Sequence, residues 1–358
     1  MIANRLNFVY TSWRNRVVFG EGAITGLSDE LASAGLDRVL VVCTPQQRAL
    51  AELVQSHAGK SAVAIFDEAR MHVPASVVRS ASEVARSANV QGVVAAGGGS
   101  TIGLAKMLAL HEQIPYVAVP TTYAGSEMTP IYGITAMNEK RTGRDERVLP
   151  KTVIYDPSLT LDLPWPVSVS SGLNAIAHAA EGLYAFDSNP ILQLMAEEGI
   201  RAMANGMRQL ATKPHDIEAR GACLYGAWLC GSVLGQAGMA IHHKLCHVLG
   251  GSLDLPHAET HAVMLPHTIG YNAEFAPGAM ARIRRALNAE DAAMGLYELG
   301  AELGSPCSLR DLGVQERELS RIVDVTIANP YWNPRPLERS DLMDMLYQAW
   351  RGDPPARA

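Results

Sequence analysis

The first half of the chain alternates short, continuous apolar runs with stretches in which apolar residues recur every three or four positions. The helical stretches lie at 46–57, 74–88 and 102–110. The apolar runs, which we predict to be strands, are 38–43, 61–66, 91–96, 115–120 and 152–155. Runs of this length separated by helices are typical of a parallel sheet covered on both faces. We therefore predict a Rossmann-like, dinucleotide-binding α/β domain.

The second half carries only the helical periodicity. Strand signals stop after Asp156, and prolines at 157, 164 and 166 mark a change in pattern. The predicted helical segments are 172–184, 190–210, 217–233 and 287–300. We therefore expect an α/β domain over residues 1–158 followed by an all-helical domain over residues 159–358.

One apolar segment has the length of a membrane span. Residues 221–241 carry no charge, but they are interrupted by Gly226, Gly231, Gly235 and Gly238. Each glycine inside a helix costs about 1 kcal/mol relative to alanine, so this number indicates close approach by a neighbouring helix or a ligand. We expect a buried central helix rather than a membrane span.

Composition and charge narrow the class of protein. Apolar residues make up 48% and charged residues 18%, which suits a large globular core. The net charge of −6 argues against nucleic acid or an anionic membrane as a partner, and an anionic ligand would need local cations. The five cysteines are scattered without a CxxC pair, and residues 1–10 lack a secretory apolar region. These features predict reduced thiols and a cytoplasmic location.

A glycine loop is the clearest local motif in the first half. Gly97, Gly98, Gly99 and Ser100 follow a predicted strand and open a predicted helix. Such a loop lets backbone amides and the helix N-terminus bind phosphate, although a tight structural turn remains an alternative. Further polar residues follow neighbouring strands, where open α/β sheets bind ligands: Thr44, Thr121 and Thr122.

The first predicted strand ends without a carboxylate. Its last residues are Cys43 and Thr44, followed by Pro45. A carboxylate at a strand end binds the ribose 2′-hydroxyl of NADH and repels the 2′-phosphate of NADPH. We therefore expect the protein to accept either NADH or NADPH.

Histidines are concentrated in the second half. Eight of the eleven fall between His178 and His267. Three pairs are spaced four residues apart, which places each pair on one helix face: Asn174 and His178, His243 and His247, and His257 and His261. A single histidine of this kind is usually structural, but three such pairs on consecutive segments favour a shared site.

Together these motifs resemble the iron-containing (group III) alcohol dehydrogenases over nearly the whole chain. The matching features are the glycine loop, Pro-Thr-Thr at 120–122, the Asn-x-x-x-His helix, His-x-x-x-His-x-x-Gly at 243–250 and Pro-His at 256–257. Residues 120–127, 171–179, 242–247 and 329–336 are similar to a branch that reduces maleylacetate to 3-oxoadipate during aromatic-ring degradation. The resemblance implies NADH or NADPH as cofactor, a small dicarboxylate as substrate and a homodimer.

The resemblance also implies a set of catalytic residues. Metal-dependent members of the family bind Fe²⁺ or Zn²⁺ through one Asp and three His, and the matching positions here are Asn174, His178, His243 and His257. Asn in place of Asp removes the anionic ligand, so we expect no metal, although three histidines alone hold zinc in other proteins. We expect His243 to be the acid that protonates the developing enolate. Asn174, His178 and His257 would line the same site with further polar groups.

Substrate contacts are predicted from charge and position. The cations proposed for the carboxylates are Lys140 and Arg144, with their neighbours Arg141 and Lys151, and Arg335. Tyr123 and His247 complete the predicted substrate contacts, whereas His261 and His267 are interpreted as structural. Three alternatives stay open: a metal-dependent alcohol or polyol dehydrogenase, a lyase of the dehydroquinate synthase type, and a non-enzymatic nucleotide-binding protein.

Overall fold

A six-stranded parallel sheet forms the centre of the first half, in the order β1-β8-β5-β4-β2-β3. The computed structural model describes residues 8–13, 15–136 and 139–355, and only the backbone of 136, 139 and 140. In these residues the strands are β1 (Arg16–Phe19), β2 (Val39–Val42), β3 (Ala62–Phe66), β4 (Gly92–Gly97), β5 (Tyr116–Pro120), β6 (Ile131–Ala136), β7 (Glu139–Arg144) and β8 (Thr152–Tyr155). All five predicted strands are confirmed.

Strand β1 and the hairpin of β6 and β7 were not predicted. β1 lies at the sheet edge and is only partly buried, and its apolar run is only three residues long. The hairpin is antiparallel, with Ile131 opposite Arg144, and its second strand is polar. Neither element carries the pattern of a fully buried strand, which is why pattern analysis misses them.

Helices cover both faces of the sheet. They are α1 (Leu27–Ser33), α2 (Arg48–Ala58), α3 (Ala75–Ser87) and α4 (Gly99–His111). Leu27 and Val54 belong to the core on one face, where α1 and α2 pack. Ala81 and Ile102 belong to the core on the other face, which continues into the helices of the second half. One apolar core therefore joins the two halves.

The described residues of the second half form helices, as predicted. These are α5 (Trp165–Gly182), α6 (Pro190–Thr212), α7 (Ile217–Gln236), α8 (Ile241–Leu253), α9 (His257–Asn272), α10 (Pro277–Leu287), α11 (Ala292–Glu302), α12 (Leu319–Ala328) and α13 (Arg339–Arg351). The helix predicted at 287–300 is confirmed from Ala292 onward, as α11, but its predicted start is wrong. Asn288 takes a left-handed conformation that ends α10, and Asp291 caps α11 by accepting from the Met294 amide at 2.8 Å.

Helix α7 is mostly buried and explains the glycines of the charge-free segment. A Cβ on Gly226 would lie 2.9 Å from the Met203 amide nitrogen in α6, and one on Gly235 would lie 2.7 Å from the Met128 carbonyl. A Cβ on Gly231 would overlap the backbone of Gly125, whereas at Gly238 the contact would be ordinary. Close approach is thus confirmed at three of the four positions.

The search for membrane-spanning helices was made over the described residues. No single helix is long and apolar enough to cross a bilayer, and only the pair of α7 and α8, bent by 94°, passes on length and composition. α7 packs against α5 and α6, so its apolar surface is used inside the protein.

Candidate active site

The glycine loop lies at the carboxyl end of β4, and each glycine has a different reason to be there. Gly97 has φ +149°, and a Cβ on it would lie 2.6 Å from both Gln47 Oε1 and Thr101 Oγ1. A Cβ on Gly98 would lie 2.6 Å from Thr122 Cγ2, but one on Gly99 would meet nothing within 4 Å. The first two glycines allow tight packing, and the third leaves open space at the start of α4.

This open space suits a pyrophosphate group. Thr101 and Ile102 both donate their amides to the Gly98 carbonyl, which starts the helix. The amides of Gly99 and Ser100 precede these bonds, and amides at this position have no acceptor within a helix. The helix dipole favours an anion at the same point. The predicted Gly97–Ser100 segment therefore fits the dinucleotide.

Gln47 joins the three strand ends around the loop, and it was not predicted. Its Nε2 donates to Thr121 Oγ1 at 3.0 Å, and the Thr44 hydroxyl donates to its Oε1 at 3.2 Å. The predicted cofactor residues Thr44 and Thr121 thus meet through Gln47. In the sequence, the only signal for Gln47 is that it is polar and closely follows Thr44 and Pro45 at the end of a strand.

The loop after β5 connects the glycine loop to the helical half. The Tyr123 amide donates to Ser171 Oγ at 3.3 Å, and Ser171 lies one turn before Asn174 in α5. That Tyr123 contacts substrate stays a prediction. Its side chain is 0% exposed and its hydroxyl accepts from Arg220 at 3.0 Å, while burial raises its pKa to about 12.

Three helices bring the predicted histidines together. Helix α5 supplies His178, α8 supplies His243 and His247, and α9 supplies His257. The ring centres of His178 and His243 lie 5.0 Å apart, those of His243 and His247 6.1 Å, and those of His247 and His257 6.3 Å. The predicted cluster therefore forms, with His247 at its exposed side.

A carboxylate, Glu181, holds the centre of the cluster. It accepts from His243 Nδ1 at 2.5 Å and from the His242 amide at 2.7 Å, at the N-terminus of α8. His243 Nε2 in turn contacts His178 Nδ1 at 2.8 Å. The result is a hydrogen-bonded line from Glu181 through His243 to His178. Sequence analysis missed Glu181, although it lies three residues after His178 on the same helix face.

A second chain of hydrogen bonds joins Thr268, His242 and His261. The Thr268 hydroxyl donates to the Met264 carbonyl at 3.0 Å, so its oxygen accepts from His242 Nδ1 at 3.0 Å. His242 Nε2 then accepts from His261 Nδ1 at 2.9 Å. Burial lowers the pKa of both histidines well below its usual value, so both rings are neutral at neutral pH. They stabilise the wall of the cluster.

The family's metal-ligand positions fit a divalent metal ion poorly, because none of them is anionic. His178 Nδ1 and His243 Nε2 contact each other at 2.8 Å. Asn174 Oδ1 is buried, is an amide oxygen and has no hydrogen-bond partner among the described residues.

A second group with metal-ligand chemistry does not fit either. His242, Cys246 and His261 have ligand atoms within 4.8 Å of one another. However, the two histidines share a proton at 2.9 Å, and burial raises the pKa of Cys246 well above its usual value. A metal would have to displace both protons.

The predicted cations are not all available to a substrate. Arg335 pairs with Asp341 at 2.5 Å and lies 4.2 Å from the Tyr271 ring centre, and its contact with substrate stays a prediction. Arg144 is exposed and donates to the Gly235 carbonyl, and its role stays a prediction. The Lys140 side chain lies outside the described residues. His247 contacts the Tyr331 hydroxyl at 3.4 Å.

Comparison with known proteins identifies similar chains. A model described as "Iron-containing alcohol dehydrogenase" matches residues 14–157, and one for the C-terminal part of the Fe-containing alcohol dehydrogenase family matches residues 168–350. A maleylacetate reductase of Pseudomonas sp. (strain P51) is 52% identical over 350 residues, which are 98% of this chain and 99% of that protein.

Other similar proteins cover the same length. A maleylacetate reductase of Sphingobium indicum is 51% identical over 353 residues, which are 99% of this chain and 100% of that protein. The crystal structure of maleylacetate reductase from Agrobacterium tumefaciens superposes with a TM-score of 0.95 at 50% identity, covering 98% of this chain and 100% of that one. The similarity therefore includes both the glycine loop and the histidine cluster.

Proposed function

The chain belongs to the iron-containing alcohol dehydrogenase family, and from this membership we propose that it reduces the carbon–carbon double bond of maleylacetate to give 3-oxoadipate. The predicted family is confirmed, and the chain is an oxidoreductase that uses NADH or NADPH. Relatives at about half identity over the whole length share one name, which disfavours the polyol dehydrogenase and lyase alternatives.

The loops at the carboxyl ends of β2, β4 and β5 would hold the dinucleotide. The amides of Gly99 and Ser100 would bind its pyrophosphate, with Thr44, Thr121 and Thr122 around it. The bound dinucleotide would supply the hydride. Use of both NADH and NADPH is supported by Thr44 at the end of β2, where no carboxylate would repel a 2′-phosphate.

The line from Glu181 through His243 to His178 is the observation that carries the proposed chemistry. Hydride addition to the alkene carbon β to the ketone places negative charge on the ketone oxygen, and a proton must then reach the carbon next to the ketone. Glu181 orients His243 through the bond to Nδ1, so we assign His243 as the acid. His178 shares a proton with it, and Asn174 and His257 complete the polar wall.

One assay separates the candidate functions. We expect loss of NADH absorbance when maleylacetate is added, in a stoichiometry of one NADH per 3-oxoadipate formed. A polyol dehydrogenase would instead reduce NAD⁺ in the presence of simple alcohols, and a lyase of the dehydroquinate synthase type would consume no net NADH. Either of those results would replace the proposed function.

We further propose that the enzyme works without a metal. The support is the direct bond between His178 and His243 and the neutral amide at Asn174. We expect full activity after treatment with EDTA and less than stoichiometric metal in elemental analysis. A stoichiometric ion together with a rate that chelation abolishes would contradict this proposal.

Oligomeric state, location and domain organisation complete the proposal. A homodimer is proposed from the family resemblance, and light scattering of the purified protein tests it. A cytoplasmic location is supported by the free state of all five cysteines. We also keep the proposed domain boundary near residue 158, which follows the last strand of the sheet.

A further inference from the structure

A proline-rich strap, which we define as residues 329–336, crosses the exposed side of the histidine cluster. Asn333 and Asn272 exchange hydrogen bonds at 2.7 and 3.0 Å. The Tyr271 hydroxyl donates to the Pro336 carbonyl at 2.7 Å, and Arg335 packs on the Tyr271 ring. The strap is therefore anchored to α9 at its C-terminal end.

The anchored strap places an aromatic residue beside the site. The Tyr331 hydroxyl lies 3.4 Å from His247 Nδ1, and the His247 ring is 6.1 Å from that of His243. The ammonium of Lys244 lies 5.4 Å from the Tyr331 ring centre. Lys244 follows His243 in α8 and so points about 100° away from it, but Tyr331 brings the lysine and His247 to one rim.

Lys244 differs from Arg335 and from Lys106 in its pairing. It has no acidic partner among the described residues, whereas Arg335 is paired with Asp341. Lys106 is buried, and its ammonium already donates to the carbonyls of Ser126, Thr129 and Ile131. Lys244 is half-buried and Tyr331 is 39% exposed, so an anion can reach both.

We propose that Lys244 and Tyr331 bind the substrate carboxylate that lies farther from the double bond. This inference rests on the proposed function and adds a determinant of specificity to it. The ammonium and the phenol hydroxyl supply charge-assisted hydrogen bonds to one carboxylate at the rim, while the double bond reaches the histidines. A negatively charged protein thus gains the local cation that a dicarboxylate requires.

Kinetics of four variants test this assignment. Lys244→Met should raise the KM for maleylacetate about 10- to 100-fold, with a much smaller change in kcat, because it removes a charged hydrogen-bond donor. Lys244→Arg should recover most of the loss, and Tyr331→Phe should give a smaller rise in KM. Lys213→Met, at an exposed lysine after α6, is the matched control and should leave KM unchanged. High salt should raise KM less in Lys244→Met than in the unmodified enzyme.

A binding measurement separates this inference from the proposed function. Calorimetry with adipate, on the NAD⁺-bound enzyme, should show that Lys244→Met weakens adipate at least tenfold, whereas Lys213→Met leaves its affinity unchanged. Equal adipate affinities in these two variants, or a KM within twofold of the unmodified enzyme, would overturn the assignment. If the unmodified enzyme does not consume NADH with maleylacetate, the proposed function fails, and the adipate comparison still decides the carboxylate site. Lys244→Gln replaces Lys244→Met if circular dichroism shows the latter to be unfolded.

Discussion

At the scale of single residues, Glu181 fixes the orientation of the His243 ring in the histidine cluster. The carboxylate lies at the N-terminus of α8 and accepts from His243 Nδ1, so the other ring nitrogen faces His178. The spacing of the histidines predicts that they share a site. It does not predict this pairing, because the contact depends on how α5 packs against α8.

Removal of the acid should affect catalysis more than cofactor binding. We expect His243→Ala to lower kcat by about 10²- to 10⁴-fold, the usual contribution of general acid catalysis, with an NADH Kd within about threefold of the unmodified enzyme. Stopped-flow kinetics and fluorescence titration measure the two quantities. Glu181→Gln should lower kcat in the same direction, and an unchanged kcat in His243→Ala would remove His243 from the mechanism.

His267 is a buried histidine that reduces stability at acidic pH. Neither of its ring nitrogens has a hydrogen-bond partner in the described part of the chain, and burial lowers its pKa from 6.5 to about 4. Between these values the unfolded chain binds a proton that the folded chain does not, so this residue lowers stability as pH falls through the window.

The leucine variant at this position should be more stable. We expect His267→Leu to raise the free energy of unfolding by about 1 kcal/mol at pH 7, because it removes an unsatisfied polar group. The advantage should grow as the pH falls from 6.5 toward 4 and then level off. Urea unfolding of both proteins across this range is the measurement, and a difference that does not depend on pH would contradict the assigned pKa.

At the scale of elements, the buried strands could be predicted and the exposed ones could not. Strands β2 to β5 and β8 are apolar along their length because helices cover both faces of the sheet. β1 and the β6–β7 hairpin lack this coverage, so their sequences contain no such run. Likewise Gln47 joins three loops that only the folded sheet brings together. The pattern of apolar residues in the sequence indicates which strands are buried. It does not indicate which loops meet, because that depends on the order of the strands in the sheet.

The packing of α7 on the loop after β5 should tolerate no side chain at Gly231. We expect Gly231→Ala to lower the free energy of unfolding by about 3 kcal/mol, since its Cβ would overlap the backbone of Gly125. Gly251→Ala in α8 is the control, because a Cβ there meets nothing within 4 Å and should stabilise the helix by up to about 1 kcal/mol. Equal effects in thermal unfolding would contradict the close approach.

The start of α4 offers a test of the cofactor site. Gly99→Ala should leave the fold intact, because a Cβ there has open space, but it should weaken NADH about tenfold by occupying the space for the pyrophosphate. Calorimetric titration gives the affinity. Gly98→Ala, whose Cβ would contact Thr122, should instead lower stability. An unchanged NADH affinity in Gly99→Ala would show that this segment does not bind the pyrophosphate.

At the scale of the whole molecule, the net charge does not describe the charge near the site. The net charge of −6 is unfavourable for a dicarboxylate, yet exposed cations such as Arg16 and Arg86 are paired with carboxylates far from the histidines along the chain. Composition alone predicts that cations are needed near the site. Which cations remain available depends on pairing in the fold, as Arg335 shows.

The apolar core that passes from the sheet into α5, α6 and α7 also has a thermodynamic consequence. Because both halves share this core, we expect a single cooperative calorimetric transition. Binding at the glycine loop is then linked to the unfolding of the helices of the second half: NADH at 100 times its Kd should stabilise the whole chain by about 2.7 kcal/mol. The concentration of the cofactor therefore affects how long the histidine cluster stays folded.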